Sequence, residues 1–126
     1  MSGWLVDTHV LIWLWGDRER LSSTALEILE DPRAPLIVSA VTRWEIAVKR
    51  GLGKLRVPAR YPGLLDDQGF AALPITAAHA DAVASLPAVE HRDPFNRLIV
   101  AQAKVEMLPI ISADSALDQY GIARLW

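Results

Sequence analysis

The sequence predicts an α/β protein in three layers, a short and mostly parallel sheet carrying helices on both faces. Three observations predict it. The runs Gly3–Val6, Leu36–Val38 and Pro109–Ser112 are apolar almost throughout and only three or four residues long. That is how strands covered on both faces read, without the alternation of a half-exposed sheet. Between them, apolar residues recur at helical spacing behind Ser, Thr or Asp caps. Strands alternating with helices in this way build parallel sheets. Finally, Asp7 ends one apolar run and Asp114 lies just past the end of another, at the carboxyl edge where such sheets bind their ligands.

Taken in order, the first strand ends at Asp7, and a helix begins near Thr8 with Val10 to Trp15 as its body; Gly16-Asp17 closes it. Ser22-Ser23 caps a second helix whose apolar stripe is Ala25, Leu26, Ile28 and Leu29, ended by Asp31-Pro32. Leu36–Val38 is the second strand. Ser39 caps a third helix reaching about Arg50, with Val41, Trp44, Ala47 and Val48 on one side, stopped by Gly51 and Gly53. Tyr61 to Asp67 reads as a short helix and Phe70 to Leu73 as a short strand. Thr76 caps a helix through Leu86, which Pro87 stops. The central helix runs from Pro94 to about Met107. Asp93 is its cap and Pro94 takes a first-turn position that needs no N–H donor. Its body (Phe95, Leu98, Ile99, Val100, Ala101, Ala103) is apolar around nearly its whole circumference, so burial is expected. Pro109–Ser112 is a strand, Ser115 to Tyr120 a helical turn capped by Gly121, and Ile122 to Trp126 the last strand.

Residues 1–126 are expected to form a single domain, large enough to bury about two-thirds of the unfolded surface. The hydrophobic fraction of 52% suits such a core, and no apolar run approaches the ~18 residues of a membrane span. No basic region precedes an apolar stretch at the N-terminus, so no signal peptide is expected. Without cysteine there are no disulfides or thiolate metal sites, and a reducing cytoplasm is the expected location. The net charge of −2 is uninformative, but its distribution is not. From Arg43 to Arg60 there are six basic residues (Arg43, Lys49, Arg50, Lys54, Arg56, Arg60) against Glu45 alone, an excess that can attract a polyanion.

The chemistry lies in the acids. Asp7, Glu45, Asp93 or Asn96, and Asp114 each have a local explanation: helix caps for Asp7 and Asp93, a turn for Asp114, an i,i+4 pair with Lys49 for Glu45. Those explanations do not account for every one falling near the edge where a site is expected. Glu45 is embedded in Trp44-Glu45-Ile46-Ala47-Val48, where nothing demands a solvated acid. A carboxylate cluster suits a hard cation, Mg²⁺ or Mn²⁺, which takes oxygen ligands, keeps waters and bridges to phosphates. The histidines His9, His79 and His91 are not at zinc-ligand spacing; His91 reads as a loop residue or a phosphate contact. A phosphatase would want Asp-x-Asp after the first strand, where Asp7-Thr8-His9 stands. A phospho-receiver would want an acidic pair there and a Lys after a late strand, where the chain has Ser112-Ala113-Asp114.

Val6–Trp13, Ser39–Ala47, Leu73–Thr76 with His79-Ala80, His91–Ala103 and Ser112–Asp114 together resemble a PIN-domain ribonuclease, and more narrowly the VapC toxins of type II toxin–antitoxin systems. The resemblance covers essentially the whole chain. It implies a PIN-like fold, a Mg²⁺- or Mn²⁺-dependent endoribonuclease acting on RNA, a homodimer, and a small VapB-like antitoxin whose C-terminal segment covers the site. Asp7, Glu45 and Asp114 match the family's acidic positions. The family's Asp-Pro-Phe-Asp-Arg becomes Asp93-Pro94-Phe95-Asn96-Arg97, so a metal-site aspartate is replaced by Asn96. Asn keeps one acceptor oxygen but loses the charge. Two expectations follow, a weakened nuclease or a module that binds RNA or antitoxin without cleaving. The expected metal set is Asp7, Glu45, Asp93, Asn96 and Asp114; Arg43, Arg97, Thr8 and Ser112 are the expected substrate contacts.

Overall fold

In the computed structural model, residues 1–88 and 93–126 are described; His91 lies outside them. The strands are β1 (Trp4–Val6), β2 (Leu36–Ser39), β3 (Ala71–Leu73), β4 (Ile110–Ile111) and β5 (Arg124–Leu125). The α-helices are α1 (Thr8–Gly16), α2 (Ser23–Glu30), α3 (Ala40–Gly51), α4 (Tyr61–Asp67), α5 (Ala77–Ala82) and α6 (Pro94–Glu106). Short 3₁₀ turns occupy Arg18–Arg20, Val83–Ser85 and Ser115–Tyr120.

The sheet order is β3-β2-β1-β4-β5, and every pairing is parallel. Leu5 pairs with Ile37's strand on one side and with Ile110 on the other. The chain builds outward from β1 through β2 to β3, then crosses back to lay β4 on the free side of β1. That reversal creates a switch point between β1 and β4, where crevices open at the carboxyl ends of strands.

Adjacent strand residues enter opposite layers. Leu5, Ile37 and Ile110 pack with Ile99, Val100, Leu117 and Tyr120. Val6, Leu36, Val38 and Ile111 pack with Val10, Leu11, Ala25, Ile46 and Leu65. This is why Leu5-Val6, Leu36–Val38 and Ile110-Ile111 are apolar at every position: in these inner strands both faces are covered. Gly3 is required where the chain enters β1, since its φ is +138° and a Cβ there would stand 2.5 Å from the Pro35 carbonyl oxygen.

Several boundaries differ from expectation. The helix expected to reach Leu86 leaves α geometry after Ala82 and tightens into the 3₁₀ turn Val83–Ser85. The strands expected over Pro109–Ser112 and Ile122–Trp126 pair only at Ile110–Ile111 and Arg124–Leu125. The central helix is fully buried only from Ile99 to Ala103, and Val105 on its last turn is 40% exposed. Among the described residues, no helix is long and apolar enough to cross a membrane.

Candidate functional site

Asp7 is placed by the end of β1. Its backbone is still extended (φ −68°, ψ 152°), which makes it the cap of α1. One carboxylate oxygen accepts the Thr8 N–H at 2.8 Å, and the other accepts the Ser112 hydroxyl at 2.8 Å. Ser112 stands at the end of β4, so this bond closes the switch point. The Ser112 Oγ also accepts the Asp114 N–H at 3.0 Å, and Asp114 caps the following turn through the Ala116 N–H at 3.0 Å. His9 flanks Asp7. Its Nε2 accepts the Ala113 N–H at 3.0 Å, which leaves the proton of a neutral ring on Nδ1, 3.5 Å from Asp7. Burial pushes the Asp7 carboxyl above its ordinary range. His9 and the donors Ser112 and Thr8 pull it back, and the Glu45 carboxylate pushes it up again.

Glu45 comes from the middle of α3 and is 5% exposed. One oxygen is ion-paired with the Lys49 ammonium one turn on. The other, Oε1, is buried and has no hydrogen-bond partner among the described residues. A buried acceptor without a donor costs roughly 1–3 kcal/mol, so this atom marks a place suited to a cation or a water. Asp93 caps α6 as expected, accepting the Phe95 and Asn96 N–H groups at 2.8 and 3.2 Å. Asn96 stands three residues further on, in the same first turn.

Asp7, Thr8, His9, Glu45, Lys49, Asp93 and Asn96, with Ile12 and Leu55, line one cleft of about 200 Å³. Four of the five residues expected to ligate metal therefore meet. The fifth, Asp114, does not line the cleft and is joined to it through Ser112. Of the expected substrate contacts, Thr8 lines the cleft but its hydroxyl bonds the Thr42 hydroxyl at 2.9 Å. Ser112 is fully buried and supports Asp7. Arg43 lies 3.7 Å from Asp66 on α4. Arg97 donates to the Pro87 carbonyl at 3.3 Å and the Tyr120 hydroxyl at 3.4 Å. Neither arginine lines the cleft; among the described residues, the cation that does is Lys49. His9 carries no ligand signature in the sequence; it stands two residues after Asp7, and the fold turns its ring between the Asp7 carboxylate and the Ala113 amide.

Among the described residues, no three His, Asp or Glu side chains close into a ready-made metal cage. Mg²⁺ seldom needs one, being held by one or two carboxylates with waters and substrate phosphates. Asp7 together with the orphaned Glu45 Oε1 suits that form of binding. A groove of about 580 Å³ adjoins the cleft, sharing His9, Ile12 and Leu55 and continuing along Trp13, Trp15, Arg20 and Arg56. The Arg20 guanidinium lies 4.2 Å from the Trp13 ring centroid.

A family model described as PIN domain matches residues 4–123. No curated protein sequence matches the chain. Among solved structures, DNA-bound VapBC from Salmonella typhimurium is similar, with a TM-score of 0.72 at 15% identity over 99% of this chain and 98% of that one. VapBC2 from Rickettsia felis, bound to a DNA fragment from its promoter, has a TM-score of 0.72 at 11% identity, covering 97% and 96%. A toxin–antitoxin complex from Klebsiella pneumoniae has a TM-score of 0.62 at 18% identity, covering 89% and 87%.

Proposed function

Since this chain belongs to the PIN domain family, we propose that it is a metal-dependent endoribonuclease, the VapC-like toxin of a toxin–antitoxin pair, with a metal site attenuated by Asn96. The convergence of Asp7, Glu45, Asp93 and Asn96 on one cleft, with Glu45 Oε1 unpaired in it, is the observation that carries this reading. Asp7 and Glu45 would hold Mg²⁺ or Mn²⁺, with Asp93, Asn96 and Asp114 contributing directly or through water. When bound, such an ion supplies an activated water and neutralises charge on a phosphodiester.

The chain's own groups prepare that chemistry. Ser112 and Thr8 fix both oxygens of Asp7, so the carboxylate does not rotate as charge builds beside it. Asp93 is committed to the α6 N-terminus and holds Asn96 at the cleft. The groove of Trp13, Arg20 and Arg56 supports a bound polyanion, with cations for phosphates and rings for bases. The solved relatives described as VapBC are complexes, which supports a VapB-like antitoxin as this chain's partner too. A homodimer working in the cytoplasm completes the proposal.

Asn96 favours a second reading, a silent module that binds RNA or antitoxin only. Comparing the wild type with Asn96→Asp decides between them. On the nuclease reading, Asn96→Asp binds Mn²⁺ more tightly and cuts structured RNA faster, while the wild type still yields discrete fragments. Wild-type protein that yields none with Mg²⁺ or Mn²⁺ supports the silent module. Equal metal affinity and equal cleavage in both proteins overturn the assignment of residue 96 to the site.

A further inference from the structure

The cleft already contains a cation of its own. Lys49 reaches Glu45 from one helical turn away, and its ammonium lies 5.8 Å from the Phe95 ring centroid, so α3 and the first turn of α6 both hold it over the site. An i,i+4 pair on an open helix face holds little, but this one is not open. The Glu45 side chain is 6% exposed and the Lys49 side chain 38%. Removing one partner of such a pair strands the buried one. The oxygen that Lys49 occupies and the orphaned oxygen beside it belong to one carboxylate, so a divalent ion and the ammonium draw on the same charge.

We propose that Lys49 is a tethered counter-cation that neutralises Glu45 in the metal-free protein and has to yield Glu45 to an incoming divalent ion, so that it sets the affinity of the site. This rests on the reading of the cleft as a metal centre. Lys49 is a positioning residue here: it acts on the metal through Glu45. Asn96 sharpens its effect, because without a charge at that position the ion depends more on the Glu45 carboxylate that Lys49 holds.

The test is calorimetric titration of the metal-free 126-residue chain with Mn²⁺ alone, for wild type, K49M, K49R and E45Q, with far-UV circular dichroism confirming the fold of each. K49Q takes the place of K49M should the latter fold poorly. K49M is expected to bind Mn²⁺ about two- to fivefold more tightly than wild type, the range a partly screened ion pair can withhold. K49R keeps the competing charge and stays near wild type, and E45Q binds weakest. If E45Q loses binding while K49M equals or falls below wild type, the counter-cation is overturned and the metal centre stands. Mn²⁺ binding that is absent from wild type and K49M alike, or unaffected by E45Q, overturns both.

Discussion

Asp7 is where stability and chemistry oppose each other most directly. The fold buries a carboxyl at 2% exposure and raises its pKa, burial being the largest cause. The folded chain therefore retains this proton at pH values where the unfolded chain has released it. Its stabilising contribution is fully present below the ordinary carboxylate pKa and is lost as pH rises through the folded value. Metal-free Asp7→Asn is expected to exceed wild type in urea-unfolding stability at neutral pH, with a gap that narrows on acidification toward about pH 4. A gap that widens on acidification would contradict this. Asp7, Glu45 and Asp93 were legible in the sequence because element ends and a misplaced acid are local signals. His9 was not: its position depends on the Ala113 amide, 104 residues away. Arg43 precedes Trp44-Glu45 and Arg97 follows Asn96 along the chain, yet helix geometry turns them toward Asp66 and Tyr120.

Among the elements, α6 shows how a well-signalled start can accompany an unsignalled end. Asp93-Pro94 announces the N-terminus, and the cap forms as read. The helix ends without a glycine: Met107 takes the left-handed conformation at φ 55°, ψ 44°, its N–H turned back to the Ala103 and Lys104 carbonyls. At 88% exposure its side chain packs on little. Left-handed geometry costs an L-residue about 1–2 kcal/mol, and glycine's extra unfolded-state freedom about 0.5–1. Met107→Gly is accordingly expected to stabilise the protein by roughly 0.5–1 kcal/mol in urea titration. The fully buried Gln102 was equally unheralded, lying in an apolar run. Its amide ties α6 to Ser39 at the end of β2, to the Pro74 carbonyl at 3.3 Å, and to His79 in the α5 capping box. A polar residue inside an apolar helix carries no sequence mark of which elements it will bridge.

For the molecule as a whole, the unbroken apolar strands were the strongest statement in the sequence, and the two-layered burial explains them. Ile110 and Ile111 are adjacent, both fully buried, and belong to opposite layers. Each Ile→Ala variant is expected to lose about 2–5 kcal/mol by denaturant unfolding, because each leaves a cavity on its own side. A sheet solvated on one face would show the loss at only one of them. Strand ends were less legible, since pairing stops where neighbours run out, and that is a property of the partner strand. The switch point carries a last consequence. The central strand β1 is made first, but its carboxylate acquires the Ser112 support only when β4 arrives, 105 residues later. Until β4 has been made, then, the Asp7 carboxylate lacks the Ser112 hydroxyl that fixes one of its oxygens. On the function proposed, the cutting centre is complete only once β4 has joined the sheet.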